Sequence, residues 1–421
     1  MLLPPVFFFV MSGIYIHIPF CNSKCAYCGF YSIPSIKRKT DFLAALKQEM
    51  VVRKDYLRGE TVRTLYFGGG TPSILNVKEI ETILKILHDH FEIDPSAEVT
   101  LEANPDTLSL DYLEGLRSIG VNRLSIGLQS FFDNDLKYLS RRHDSRHALE
   151  CVLWAKEAGF ENISLDLIYG LPTSDAEQWR RNLDLFFEMD VPHLSAYALT
   201  LEPNAILTRQ IEQGKAKPVN EEDALRDYST LCKCAKESGF EHYEISNFCK
   251  PGWHSRHNTS YWFGVPYLGL GPSAHSYNGR SRQWNVSSVG RYVEDRRQET
   301  EVRKEKAEIS NEIENVSEGR LLDSPARQRG EAGYASTGYA EMETLTPEQK
   351  YDEYVMLRLR TMWGIDLKEI RQEMGARFAD HCERQARPLV EQDRLTRSHD
   401  LFFLDDGQML FADGIAEELF W

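Results

Sequence analysis

The sequence predicts an α/β protein: a partial (β/α)6 barrel followed by a small C-terminal helical domain with a winged-helix-like hairpin. Three observations carry that expectation. Short apolar runs recur six times, each followed by turn residues and a helical pattern. The polar residues that interrupt this pattern fall at the C-terminal ends of the runs. Composition then turns charged and Gly/Ser-rich over 298–345 before periodic structure resumes.

The chain opens on a short apolar stretch, Met1 to Val10, without the basic lead of a signal peptide and too short to span a bilayer. Met11 directly precedes the first strand pattern, so residues 1–10 read as a non-native or flexible extension and no membrane anchor is expected. The six runs are 14–18, 63–67, 98–102, 123–128, 163–168 and 193–199. Between them lie helical patterns over 41–56 (Phe42, Leu43, Leu46 and Met50 on one stripe), 77–90, 109–119, 145–158 and 175–189. Such alternation means parallel strands joined by right-handed crossovers, and six units rather than eight predict an open barrel over 11–240. Chemistry in such folds gathers at the C-terminal ends of the strands.

Residues 241–297 read as an irregular extension rich in Gly, Ser, Tyr and Trp. Over 298–345 the sequence reads as a linker of low order, with at most a thin helical stripe at Val302, Ile309, Ile313 and Val316. The C-terminal domain, 346–421, is expected to hold helices over 351–360, 367–374 and 377–393, a hairpin over 401–411 around Asp406-Gly407, and a last helix from Gly414. Helices plus a hairpin resemble a winged helix, but 49 Lys and Arg against 64 Asp and Glu give −15, which argues against nucleic-acid or anionic-membrane binding. A packing module is the expectation.

Eight cysteines in a chain of 421 residues are not a disulfide scaffold. Cys151, Cys232, Cys234, Cys249 and Cys382 are scattered and read as ordinary thiols. The other three are clustered in Cys21-Asn22-Ser23-Lys24-Cys25-Ala26-Tyr27-Cys28, directly after the first strand. A cubane iron–sulfur cluster takes four thiolates. Three on one loop leave one iron open to a small molecule, the arrangement in which S-adenosylmethionine (SAM) chelates a cluster. Zinc competes, although structural zinc usually takes four ligands in separated pairs. Three clustered thiols cannot all form disulfides with one another.

Other candidates share the cysteine loop's end of the barrel. Gly68-Gly69-Gly70-Thr71 lacks the lysine of a phosphate loop, and reads equally as a tight turn or as open backbone receiving an ammonium group. Glu102 and Asp166 are candidate acceptors for ribose hydroxyls or an ammonium group, and Arg141 a candidate partner for a carboxylate. Each alone reads as well as a structural residue; together with the cysteines they describe a pocket for an amino-acid nucleoside.

The segments Ile18-Pro19-Phe20-Cys-x3-Cys-x2-Cys, Tyr66-Phe67-Gly-Gly-Gly-Thr-Pro-Ser, Ser125-Ile-Gly-Leu-Gln-Ser-Phe131 and Asp166-Leu-Ile-Tyr-Gly-Leu-Pro resemble the radical-SAM coproporphyrinogen III oxidase-like family over 13–279 and again over 346–421. The resemblance implies a [4Fe-4S] cluster on Cys21, Cys25 and Cys28. It implies SAM contacts from Tyr15, Tyr27, Gly69, Gly70, Thr71, Glu102, Gln129, Arg141, Asp166 and Ala198. In that chemistry the reduced cluster cleaves SAM to methionine and a 5′-deoxyadenosyl radical, while the protein orients SAM and excludes water and oxygen.

Two classes exist within the family. The oxidases resemble C-x3-C-x2-C-x-C and carry a longer leading segment, whereas here Gly29 and Phe30 follow Cys28 and 20 residues precede Cys21. The chain is more similar to the heme-chaperone class, whose H-N-x-x-Y-W motif matches His257-Asn258-Thr259-Ser260-Tyr261-Trp262. There His257 would ligate heme iron while Tyr261 and Trp262 cover the porphyrin, with Asn258 in the same site. Without the resemblance the motif reads as a loop anchored by buried aromatics. The expectation is a cytoplasmic heme chaperone that passes heme to an acceptor such as a respiratory membrane protein. The alternative is oxygen-independent decarboxylation of coproporphyrinogen III to protoporphyrinogen IX. Radical methylation fits the cluster but not the motif.

Overall fold

Six parallel strands, β1 (Ser12–Ile18), β2 (Val62–Gly69), β3 (Ile93–Ala103), β4 (Arg123–Gln129), β5 (Asn162–Tyr169) and β6 (His193–Ala198), pair in chain order. The computed structural model describes residues 12–299 and 340–421; the expected N-terminal extension and most of the expected linker lie outside them. Helices α1 (Lys39–Val52), α2 (Val77–His90), α3 (Leu110–Ser118), α4 (Asp133–Tyr138), α5 (Ser145–Glu157) and α6 (Ala176–Glu188) make the connections. Asn76 and Glu79 form a capping box at the start of α2, and Asp144 and Asp175 cap α5 and α6, satisfying backbone donors that would otherwise be orphaned.

Successive side chains in a strand point to opposite faces, and here the two faces differ in chemistry. Ile14, Ile16, Leu65, Phe67, Leu101, Leu124, Ile126 and Leu165 join the helices in the main apolar core. The alternate residues meet one another on the inner face: Tyr66 bonds Glu102, Ser125 bonds Asp166, and Ser164 bonds His193. The barrel interior is therefore a polar column, well suited to positioning a polar ligand but costly wherever a group goes unpaired.

Helix α1 stops at Val52, short of the expected 56, because Arg53 leaves the helix to donate to Gly269 O at 3.1 Å and Gln283 Oε1 at 2.9 Å. After β6 come α7 (Ile206–Glu212) and α8 (Glu221–Glu237).

The segment expected to be irregular instead extends the sheet at both edges. β7 (Glu241–Glu244) and β8 (Asn247–Cys249) form a hairpin antiparallel to β6. The chain then crosses through α9 (Arg256–Trp262) to β9 (Tyr267–Leu270), which pairs in parallel with β1. β10 (His275–Tyr277) and β11 (Ser281–Asn285) continue that edge. Helix α10 occupies 289–299 at the start of the expected linker, and β12 (Ala340–Thr344) near its end pairs with β11, completing a 12-stranded sheet.

Buried Glu49 of α1 fastens this added edge. It accepts from Gly271 N at 2.8 Å, Asn285 Nδ2 at 2.7 Å, Tyr292 OH at 2.6 Å and Arg296 at 2.9 Å. Burial would raise its carboxyl, but Arg296 and Arg53, together with the hydrogen bonds from Tyr292 and Gly271, outweigh burial and hold it below the ordinary carboxylate range.

The C-terminal domain has its own core around Tyr351, Ile370, Phe378 and Phe402. It comprises α11 (Pro347–Leu359), β13 (Ile365–Asp366), α12 (Leu367–Glu373), α13 (Ala376–Glu391), β14 (Thr396–Ser398), β15 (Leu401–Phe403) and α14 (Ala412–Glu417). Its hairpin is β14–β15, turning at His399 with φ 57°, rather than a pairing across Asp406-Gly407. The expected second arm, Met409–Phe411, is a single helical turn, because Gln408 N and Met409 N both donate back to Asp405 O. Among the described residues no helix is long and apolar enough to cross a membrane.

Candidate functional site

The loop after β1 is held at three points. Phe20 is wholly buried and bridges Ile33, Cys21 N donates to Ile33 O at 3.1 Å, and Ala26 N donates to Leu139 O at 3.2 Å. Between these anchors Cys21, Cys25 and Cys28 all line one cavity of about 420 Å³ at the C-terminal ends of the strands. The lining also includes Tyr27, Gly69, Gly70, Thr71, Glu102, Gln129, Arg141, Asp166 and Ala198, so nine of the ten residues expected around SAM converge there. Tyr15 does not line it. Its hydroxyl lies 3.2 Å from His17 Nδ1, and its ring stacks on Tyr66.

The sulfurs are approached by hydrogen-bond donors. Thr71 Oγ1 lies 3.4 Å from Cys21 Sγ and Arg141 Nη1 lies 3.3 Å from Cys25 Sγ. Arg141 Nη2 also donates to Asn104 Oδ1 at 2.8 Å and Gly127 O at 2.6 Å, while its buried Nε has no partner. Asn104 Nδ2 closes the ring onto Thr71 Oγ1 at 3.1 Å. Asn104, Ser125 and Tyr197 line the cavity without having been singled out as ligand residues. For Asn104 the available signal was a polar side chain at a strand end, immediately before Pro105.

Close packing explains the glycines. A Cβ on Gly70 would lie 2.7 Å from Phe20 O and 2.8 Å from Ile18 O. One on Gly68 would meet Tyr15, Tyr66 and Glu102. The turn therefore holds the cysteine loop against β2 with no room for a side chain.

Two carboxyls face the cavity from the polar column. Glu102 accepts from Tyr66 OH at 2.8 Å and Gly69 N at 3.1 Å, and Asp166 accepts from Ser125 Oγ at 3.2 Å. Burial pushes Glu102 up to about 7 and Asp166 up to about 6. A cationic group entering the cavity would draw both toward the ionised form.

Three thiols lining one polar cavity are the donor chemistry that a cluster takes. Among the described residues the three loop sulfurs do not form a group within 4.8 Å of one another, as ligands to one metal would.

The His257 motif lies elsewhere. His257 is 1% exposed, beside the early parts of β1 and β2. Its Nδ1 is 2.8 Å from Thr64 Oγ1 and its Nε2 2.8 Å from Tyr261 OH. The ring stacks on Tyr66 at 4.9 Å, and burial lowers its pKa to about 3, leaving a neutral imidazole. Both nitrogens are engaged by protein hydroxyls in this conformation. Tyr261 packs edge-on against Tyr267 at 4.6 Å, and Trp262 and Asn258 are half-buried beside it. The structure brings this motif together as an internal brace and keeps it apart from the cysteine cavity.

The profile of the radical SAM superfamily matches residues 15–186, and that of the HemN C-terminal domain matches residues 345–410. The heme chaperone HemW of Bacillus subtilis (strain 168) is 33% identical over 94% of this chain and 95% of its own length. HemW of Mycobacterium tuberculosis (strain H37Rv) is 36% identical over 67% of this chain and 73% of that protein. Among solved structures, the coproporphyrinogen III oxidase HemN of Escherichia coli superposes with a TM-score of 0.76 at 24% identity, covering 97% of this chain and 90% of that one.

Proposed function

This chain belongs to the HemW/HemN family of the radical SAM superfamily, and on that premise we propose that it is a heme chaperone carrying a [4Fe-4S] cluster and SAM. On this reading Cys21, Cys25 and Cys28 hold the cluster and the adjoining cavity receives SAM. When bound, the cluster supplies one electron to SAM.

The chain's own residues do the positioning. Arg141 donates to the Cys25 thiolate, and its unpartnered Nε offers a further donor to a ligand carboxylate. Gly69 and Gly70 give a ligand ammonium close access to backbone carbonyls. Glu102 and Asp166, ionised by a cationic ligand, accept from its hydroxyl or ammonium groups. The buried anchors Phe20 and Ala26 hold the cysteine loop in place beside the cavity.

One observation favours chaperone over oxidase. Two residues beyond Cys28, where the oxidases carry a fourth cysteine, stands Phe30, 71% exposed at the cavity mouth. Leu201 and Ile206, also exposed, lie on the segment that packs against this loop through Gly29 and Glu202. An apolar rim of this kind suits one face of a porphyrin, and the reading places heme there rather than at the enclosed His257. The names of the HemW relatives point to the same activity. The heme acceptor on this reading is a further protein, for example of the respiratory membrane.

The test is an anaerobic incubation of cluster-loaded protein with SAM, a strong reductant and coproporphyrinogen III, followed by porphyrin analysis. No conversion in a sample that cleaves SAM, with retention of added hemin, supports the chaperone. Protoporphyrin well above a Cys25→Ala control overturns it in favour of the oxidase.

A further inference from the structure

At the other end of β6 from the cavity, three metal-binding side chains converge. Glu241 and Cys249 are register partners across the β7–β8 hairpin, and His254 returns to them from the following loop. Their donor atoms all lie within 4.8 Å of one another, the only such group among the described residues. Cys249 is wholly buried, while the His254 and Glu241 side chains are 15% and 34% exposed. Glu241 thus provides the open side. His254 Nε2 lies 3.2 Å from Glu241 Oε2, close enough for the two to share an ion, and that buried nitrogen has no other partner.

We propose that Glu241, Cys249 and His254 form a binding site for a zinc-class divalent cation, with the fourth position left to water. A thiolate, an imidazole and a carboxylate make a borderline donor set of the kind that selects zinc or cobalt over magnesium or calcium. Bonds of about 2.3 Å to sulfur and about 2.0 Å to nitrogen and oxygen place tetrahedral donors about 3.5 Å apart. The three ligands therefore need to close by about 1 Å at their widest, within side-chain adjustment. Binding releases the Cys249 proton to solvent against burial that raises its thiol, while burial lowers His254 and favours the neutral imidazole that can ligate.

The position gives the ion a structural task. Tyr243 packs edge-on against His254 at 4.8 Å, and Trp363 of the C-terminal domain lies 5.7 Å from the same ring. The two domains are also joined here by backbone hydrogen bonds, Met362 N to Tyr243 O and Ile245 N to Arg360 O. An ion held by the hairpin and its following loop fixes the surface on which the C-terminal domain docks.

Cobalt is the probe, added anaerobically to the full-length, cluster-loaded protein. The expected result is one further equivalent bound, with thiolate-to-cobalt charge-transfer absorption, displaced by zinc, and a raised thermal unfolding midpoint. Cys249→Ala removes the charge-transfer band. Glu241→Gln, at a partly exposed position that tolerates an isostere, weakens cobalt binding at least about tenfold with cluster content unchanged. The proposal is overturned by no added equivalent of bound cobalt, by full retention in Glu241→Gln, or by a band that disappears only when Cys21, Cys25 and Cys28 are replaced together. These outcomes are separate from those that decide the heme reading.

Discussion

Arg141 Nη1 stands 3.3 Å from Cys25 Sγ, so the guanidinium that steadies the strand-four carbonyl also donates to a loop sulfur. Donors to cluster sulfurs and nearby positive charge raise a cluster's reduction potential. Arg141→Lys keeps the charge but loses the planar fork. We expect a more negative cluster potential in an anaerobic redox titration, with SAM affinity reduced roughly 10–100-fold, the scale of one or two charge-assisted bonds. An unchanged potential together with unchanged affinity would remove Arg141 from the site.

SAM binding should depend on pH through Glu102. Burial raises its carboxyl to about 7, so the folded apo protein keeps a proton that the unfolded chain loses near the ordinary carboxylate value. The stability associated with that proton is present at low pH and is lost as pH rises through about 7. A cationic ligand prefers the ionised form. Affinity should therefore rise between pH 6 and pH 8 by roughly tenfold, with proton release on binding. Calorimetry in two buffers of different ionisation enthalpy measures the proton count, and Glu102→Gln should abolish the part due to this carboxyl.

Heme titration separates the rim from the internal histidine. Phe30→Ala should weaken hemin binding, losing up to about 2–3 kcal/mol of apolar contact, without changing SAM affinity. His257→Ala should lower stability by about 2–4 kcal/mol, since it empties a packed position and strands Thr64 and Tyr261. Below its melting temperature that variant should still bind hemin with the parental spectrum. A lost axial-ligand signature in folded His257→Ala would return the iron to the motif.

The Glu49–Arg296 pair gives a stability prediction independent of any ligand. Arg296→Ala leaves a carboxylate with 0% exposure short of its main counter-charge. The expected loss is about 3–5 kcal/mol in denaturant unfolding, as for other broken buried pairs. Adding Glu49→Gln to that background should recover part of it, because the stranded charge is then gone.

The barrel strands and most of their helices were legible because period-two and period-3.6 patterns are local. Asn76, Asp144 and Asp175 announce helix starts that the structure keeps within one residue. The cysteine loop was singled out for a different reason: its spacing, Cys21-x3-Cys25-x2-Cys28, suggests a ligand set without reference to fold. The edge strands were not legible. β8 and β10 are three residues each, too short to show a period, and exist because β6 and β9 offer them unpaired backbone. The same limit hid His257's enclosure. Its burial depends on Thr64 and Tyr66, nearly 200 positions earlier in the chain, and only α9 crossing against β1 and β2 brings them together.

The pairing of β1 with β9 sets an order of events during synthesis. Gly13 is among the first described residues to leave the ribosome, yet its partner Tyr267 is made after the whole parallel array. At about 5–20 residues per second the delay is tens of seconds. Throughout that interval one flank of β1 is bare backbone, a template for mispairing with other chains. The loop bearing Cys21, Cys25 and Cys28 continues directly from that unguarded strand. The arrival of β9 therefore ends the period in which the cysteine loop's own strand stands exposed.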